Sequence, residues 1–240
     1  MKIVQATLWI YLNAIRRSGQ SVAKNWIVSF APLIYGVGLS VAAWLAAPLG
    51  GIVGGFLLGL ASQACLSSGL YLIQNIVQIG KTNFDDFVKG FTVYFWELVR
   101  IAFILWIPLW VASQALASVP NGRLIFALIQ IALYVFLNPV PEFIYQTRSS
   151  GVELLSASYT FIVENWIEWF IPNIALTAAG YLLLQLLEIS AAGLPGFLQV
   201  FLVAFVFGLC LTYVMVFRGF LFAELNGTNR RSRVYRYNAS

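Results

Sequence analysis

From Asn25 to Gly80 the chain runs for 56 residues without a charged side chain. That stretch decides most of what the chain can fold into. A soluble domain would have to bury nearly all of it. A bilayer accepts it as two spans, because about 20 apolar residues cross the hydrocarbon and each helix satisfies its own backbone. Pro48-Leu49-Gly50-Gly51 lies midway and supplies the turn. The composition agrees: 10% of residues are charged and the mean hydropathy is +0.84, whereas soluble domains carry roughly 25% charged residues.

The layout recurs twice more. Arg100 and Arg123 bracket 22 uncharged residues, closed by the turn Pro120-Asn121-Gly122, and a fourth span runs from Arg123 to about Tyr145. The fifth lies between Glu168 and Glu188. Gly193-Leu194-Pro195-Gly196 turns the chain, and the sixth reaches Phe222. A shorter amphipathic segment precedes each pair. Val4, Leu8, Leu12 and Ile15 share one helical face of the first. Phe84, Phe87, Val88 and Phe91 recur at helical spacing in the second, behind a capping-box-like Thr82 and Asp85. Ser150 and Glu153 open the third, whose stripe is Val152, Leu155, Tyr159, Ile162 and Trp166. Such segments are expected to lie in the membrane interface.

The expected fold is therefore an all-α polytopic membrane protein. It has six transmembrane helices in three helical hairpins, each preceded by a cytoplasmic interfacial helix. The boundaries are an interfacial helix at 1–24, hairpin 1 at 25–80, an interfacial helix at 81–95, hairpin 2 at 96–148, an interfacial helix at 149–165, hairpin 3 at 166–224 and a basic tail at 225–240.

An internal repeat accounts for the layout. Asn25-Trp26-Ile27 returns as Asn165-Trp166-Ile167, and Phe30 and Pro32 return as Phe170 and Pro172. Trp96 stands halfway, so Trp26, Trp96 and Trp166 follow one another at 70-residue steps. Tryptophan belongs at the membrane–water boundary, which makes these three the expected interface anchors. Units that cross twice all face the same way, so a symmetry axis would run along the membrane normal.

Positive residues orient the chain. Thirteen lysines and arginines fall on the side of the termini and Arg123 alone falls on the other. Both termini are thus expected in the cytoplasm, in a prokaryotic inner membrane. Arg16 and Arg17 follow the first apolar run and no small-residue cleavage site is evident, so a cleaved signal peptide is not expected.

With no histidine in the chain, an imidazole ligand or proton shuttle is excluded. Cys65 and Cys210 both sit in apolar stretches and read as small buried hydrophobes. No metal site and no cofactor are expected. There is no nucleophile elbow, metal-ligand cluster or phosphate-cradling loop, so the chain is not expected to be an enzyme. Its tail, carrying Arg230, Arg231, Arg233 and Arg236, is too short for a nucleic-acid module and suits a membrane surface or a partner.

The sharpest local feature is Asn138-Pro139-Val140-Pro141-Glu142 in the fourth span. Each proline removes a backbone donor and kinks the helix. The freed carbonyls, Asn138 and Glu142 could line a polar cavity, as broken helices with acidic residues do in transporters. The plainer and preferred alternative is a helix that simply ends, with Glu142 in water. Ser67-Ser68-Gly69 and Phe207-Gly208 hold the same phase in the other units and mark either a shared bend or close packing, the latter preferred. Arg148 and Arg218 are 70 residues apart. Together at a cavity mouth they would suit a phosphate or carboxylate. The preferred reading is that they anchor helix ends at lipid headgroups.

Ser156, Phe161, Asn165, Trp166 and Phe170 put a serine ahead of an Asn/aromatic start to a span. In this and in its six-helix layout the chain resembles a loose group of prokaryotic membrane proteins. The group includes the membrane domain fused to some glycerophosphodiester phosphodiesterases, and its stand-alone relatives. No catalytic domain is present, so the resemblance implies the fold alone. Two functions are expected. The first is a non-enzymatic subunit or assembly factor of a membrane complex, with membrane lipids and a protein partner or a second copy around it. The second is a small transporter or lipid-binding protein with a cytoplasm-facing cavity around Asn138, Pro139, Pro141, Glu142, Arg148 and Arg218.

Overall fold

Six helices are long and apolar enough to cross a membrane in the computed structural model, which describes residues 2–239. The protein is an all-α polytopic membrane protein. Met1 and Ser240, the outer limits of the first and last expected segments, lie outside the described residues. The helices are α1 (Lys2–Lys24), α2 (Ala31–Ala46), α3 (Gly51–Gln78), α4 (Phe84–Val93), α5 (Phe95–Leu116), α6 (Gly122–Phe136), α7 (Val140–Gln146), α8 (Gly151–Ser190), α9 (Gly196–Leu225) and α10 (Arg230–Ala239). Tight 3-10 turns at Trp26–Phe30 and Ala47–Leu49 flank α2. The expected turns form where left-handed backbone is tolerated, at Gly50 (φ 80°) and Asn121 (φ 59°).

Consecutive spans pack on each other: α2 on α3, α5 on α6, α8 on α9. The core lies toward the C-terminal ends of α3, α7 and α9, where Ile76, Phe143, Phe217 and Leu221 are buried. Gly219 allows the approach. A Cβ there would sit 2.6 Å from the Tyr145 hydroxyl and 2.7 Å from Val77 Cγ2. Side-chain amides join the three helices in order. Gln78 Nε2 donates to the Tyr145 carbonyl at 3.0 Å, and Gln146 Nε2 donates to the Gly219 carbonyl at 2.9 Å. Away from this core the spans are open. Ile52, Trp44 and Phe197 are among the most exposed large apolar residues, as lipid-facing side chains are.

The helices ahead of the first two span pairs dock through faces that carry small residues. Among the described side chains of α1 the buried ones are Ala6, Ile10, Ala14, Ser18 and Val22, at a four-residue step, and the helix packs against α9. The bulky stripe of Val4, Leu8 and Leu12 is exposed. In α4, Gly90 lies on Ser68 of α3, and a Cβ there would meet Ser68 Cα at 2.8 Å. Small residues, Ala6, Ala14 and Ser18 in α1 and Gly90 in α4, allow the close approach, and Ile10 and Val22 of α1 are buried beside them.

That packing also decides the role of Ser67 and Ser68. Ser67 Oγ donates to the Gly90 carbonyl at 2.5 Å and accepts from the Tyr94 N–H at 2.8 Å. Ser68 Oγ donates to the Phe87 carbonyl at 2.8 Å. Helix α3 runs through these residues unbroken, and α9 runs through Phe207-Gly208 unbroken. Close packing, the preferred reading, is what these residues serve, and no bend is shared: of the second spans of the pairs only the fourth is broken, since only it carries prolines at that phase. Gly208 instead lies under the Ser29 carbonyl, with no room for a Cβ.

Two helix starts also differ from expectation. In α4 the capping pair is Asn83 and Asp86, the Asp86 carboxylate accepting the Asn83 N–H at 2.8 Å. It falls one residue late because Thr82 is held by Asn25. Ser150 precedes α8 but its hydroxyl caps nothing; Ser149 reaches Glu153 instead, at 3.3 Å.

Candidate functional site

The break in the fourth span is real and fully answered. Pro139 and Pro141 carry no N–H, and Val140 turns back to the Leu137 carbonyl at 3.1 Å. The carbonyls of Phe136 and Asn138 are thereby left without helical donors. Ser158 Oγ donates to the first at 2.8 Å. Arg218 Nη2 donates to the second at 2.7 Å. An unpaired carbonyl in lipid would cost several kcal/mol, so both side chains are structural parts of the break.

Arg218 does more than close that gap. Its Nε donates to Glu142 Oε1 at 2.7 Å and its Nη2 to Oε2 at 2.9 Å. Glu142 is fully buried and the Arg218 side chain is 14% exposed. The guanidinium lies 5.1 Å from the Trp169 ring centre. The Trp169 indole N–H donates to Asn138 Oδ1 at 2.9 Å. Helices α7, α8 and α9 are thus tied at one point.

This corrects several expectations. Glu142 does not meet water at a helix end, because the core closes over it. Arg218 is not a headgroup anchor, because a carboxylate holds it inside. Arg148 does not join the site: it is exposed on the segment after α7 and makes no ion pair or hydrogen bond among the described residues. The two arginines share a sequence phase, but Arg148 lies beyond the end of α7 and Arg218 lies within α9. Pro139 is buried and serves the break alone. Pro141 is partly buried in the first turn of α7.

Beside the ion pair is a cavity of about 560 Å³. Asn138 and Arg218 line it, together with two polar residues of α8, Asn173 and Thr177, which the sequence marks only as intramembrane polar residues that would glue helices together. Its apolar walls include Tyr134, Ile162, Trp166, Phe170 and Ile174. Asn173 is 7% exposed; its Nδ2 donates to the Trp169 carbonyl at 2.7 Å, and its Oδ1 is buried without a donor. The polar residues of the fifth span were the only available signal, and nothing in their spacing pointed to Arg218.

The three tryptophans are exposed, Trp26 by 51%, Trp96 by 73% and Trp166 by 57%. At each of them a neighbouring side chain holds the chain that follows the next span pair. Asn25 (φ −119°, ψ 30°) donates through Nδ2 to the Ser21 carbonyl at 2.8 Å, and its Oδ1 accepts the Thr82 N–H at 3.0 Å. Asn165 (φ −127°, ψ 17°) donates to the Phe161 carbonyl at 3.1 Å, and its Oδ1 accepts from Arg233. Glu97, next to Trp96, accepts the Gly151 N–H at 2.7 Å and pairs with Arg100 at 3.0 Å.

The tail is therefore not a free basic arm. Helix α10 packs on α1. Arg230 binds Glu168 at 2.7 Å, Arg236 binds Glu224 at 3.1 Å, and Arg233 is buried against Asn165, the Thr228 carbonyl at 2.8 Å and Glu168 at 3.8 Å. Glu168 holds the Arg230 guanidinium above its ordinary pKa, whereas burial pulls that of Arg233 below it. Replacing Arg233 by Ala should strip the Asn165 side-chain oxygen and the Thr228 carbonyl of a donor and Glu168 of a nearby positive charge. Such losses run to about 1–3 kcal/mol, so tryptic cleavage at Arg230 and Arg231 in the native protein should accelerate about tenfold or more. An unchanged cleavage rate would mean that α1 alone holds the tail.

No protein-family model, curated protein or solved structure matches the chain.

Proposed function

We propose that the protein is a non-enzymatic, multi-pass protein of a prokaryotic inner membrane that holds a lipid in the cavity beside Arg218. The observation that carries this is the union of apolar walls with Arg218 and the polar residues Asn138, Asn173 and Thr177 around one space. Its size falls within the roughly 300–1,000 Å³ of small-ligand sites. Trp166, Tyr134 and Ile174 on its walls are more than half exposed, so it opens toward the bilayer and a lipid can enter sideways.

In this reading the chain is three units of one design, with both termini in the cytoplasm. The excess of lysine and arginine on the side of the termini supports the orientation. The matching backbone at Asn25 and Asn165 supports the repeat, and Glu97 performs the same capture in the middle unit. The outward apolar stripe of α1, and the exposed Phe84 and Val88 of α4, support a position in the interface. So does the length of α8: 40 residues make about 60 Å of helix, twice the hydrocarbon thickness. Only the part beyond Asn165 is needed to cross.

Docking of the tail removes one of the reasons for a subunit role, since the basic arm is occupied by the protein's own carboxylates. Purification in mild detergent with mass spectrometry tests both functions. The wild-type protein should retain about one lipid per chain, and Val163→Trp, which puts a bulky ring at a lining residue that makes no bond to the ion pair, should lose it. Retention by Val163→Trp, or a stoichiometric protein partner without lipid, would overturn the proposal.

A further inference from the structure

Resting on that reading, we infer that α10 is a latch on the joint at Asn165, and that an anionic membrane surface opens it and frees the lipid from the cavity. The cavity is built across this joint. Asn165 interrupts α8 with φ −127° and ψ 17°. Ile162 and Val163 line the cavity before it, and Trp166 and Phe170 line it after. The angle between the two parts of α8 therefore sets where these walls stand. Helix α10 grips the joint at two places one turn apart. Arg233 donates to Asn165 Oδ1, and Arg230 pairs with Glu168 at 2.7 Å. Next to Glu168, the Trp169 indole holds Asn138 of the cavity wall.

The chemistry of the donor makes this joint the releasable one. At the other two joints the donor belongs to the main chain: Thr82 N–H serves Asn25 at 3.0 Å and Gly151 N–H serves Glu97 at 2.7 Å. At Asn165 it is a guanidinium, the group best matched to a phosphate. Arg230, Arg231 and Arg236 stand on the same short helix. The side chains of Arg230 and Arg236 are 51% and 44% exposed within their ion pairs, so headgroups reach them while the tail is docked. Arg231 is exposed and makes no ion pair or hydrogen bond among the described residues. Attraction to anionic headgroups grows with each arginine near the surface. Lifting α10 onto them draws Arg233 out after the other three. Asn165 Oδ1 then loses its donor, and a buried oxygen without one is costly. The joint takes up water and the two walls part.

The test uses the full chain with Cys65→Ala and Cys210→Ala, and with spin labels on Gln20→Cys of α1 and Asn238→Cys of α10, both exposed positions. The protein is held in neutral maltoside micelles doped with lysophosphatidylcholine or with lysophosphatidylglycerol of the same chain. Pulsed electron paramagnetic resonance measures the distance between the labels, and mass spectrometry counts the lipid left on the chain. Lysophosphatidylglycerol should lengthen the distance and cut the retained lipid at least about tenfold relative to lysophosphatidylcholine. Arg233→Ala should give the long distance and the loss in both micelles. Arg231→Ala, which removes no bond of the docked tail, should blunt the response to lysophosphatidylglycerol. A distance unchanged by lysophosphatidylglycerol would overturn the inference. So would a lengthened distance with the lipid still in place; loss of that lipid in Val163→Trp would then leave the lipid-holding function standing. A protein that holds no lipid in either micelle would remove both. The two micelles on the labelled protein decide the matter even if Arg233→Ala fails to fold.

Discussion

Glu142→Gln is expected to cost about 3–5 kcal/mol of stability, measured by SDS-titrated unfolding in mixed micelles. The figure follows from the burial of both partners: removing one member of a buried ion pair leaves the other charged with no compensation. Glu142 is wholly inside, and Arg218 has no second carboxylate to turn to. Its Nη2 also serves the Asn138 carbonyl at the helix break, so movement of the guanidinium would expose that carbonyl to lipid as well. The double variant Glu142→Leu, Arg218→Met should recover much of the loss, because an apolar replacement of a whole buried pair is often neutral. Any shortfall measures what Arg218 contributes to the Asn138 carbonyl. A Glu142→Gln protein as stable as wild type would show that the pair is not the tie between α7 and α9.

The second large effect is expected at Gly208. In α9 this glycine faces the Ser29 carbonyl of the 3-10 turn ahead of α2, and an added methyl would overlap that oxygen. The obstacle is backbone, so no rotamer change relieves it. The turn and α9 must separate. Overpacking of this kind costs about 1–3 kcal/mol, and Gly208→Ala should fall at the upper end in the same unfolding assay. Gly59→Ala is the control. It sits within α3, and a Cβ there meets nothing within 4 Å. The control should be neutral or slightly stabilising, since alanine is the better helix former. Equal behaviour of the two would mean that α9 and the turn do not need their close approach.

The six spans were legible in the sequence because lipid imposes a requirement that composition alone reports: long uncharged runs closed by turns. The joints were legible too. Asn25 and Asn165 stand in matching sequence and adopt nearly the same backbone angles, because a short polar side chain can bond the preceding turn there. Position along the chain also gave the break at Pro139 and Pro141, since a missing N–H is a property of the residue itself.

What the tertiary structure alone decided is who answers whom. Arg148 and Arg218 look equivalent in sequence, yet one is in solvent and the other is inside, because the place of a guanidinium depends on a carboxylate 76 residues away. The same holds for the outward apolar stripe of α1, whose periodicity is that of a core-facing helix. Periodicity says that a helix has two faces; in lipid it does not say which one packs, since lipid tails and protein interiors are both apolar. Asn173 was one polar residue among many in the spans. Only the packing of α8 beside α6 and α9 left its oxygen buried without a donor and put the residue on the same cavity as Arg218. Local chemistry determined the elements and their joints, and long-range pairing of charges and hydrogen bonds determined the site.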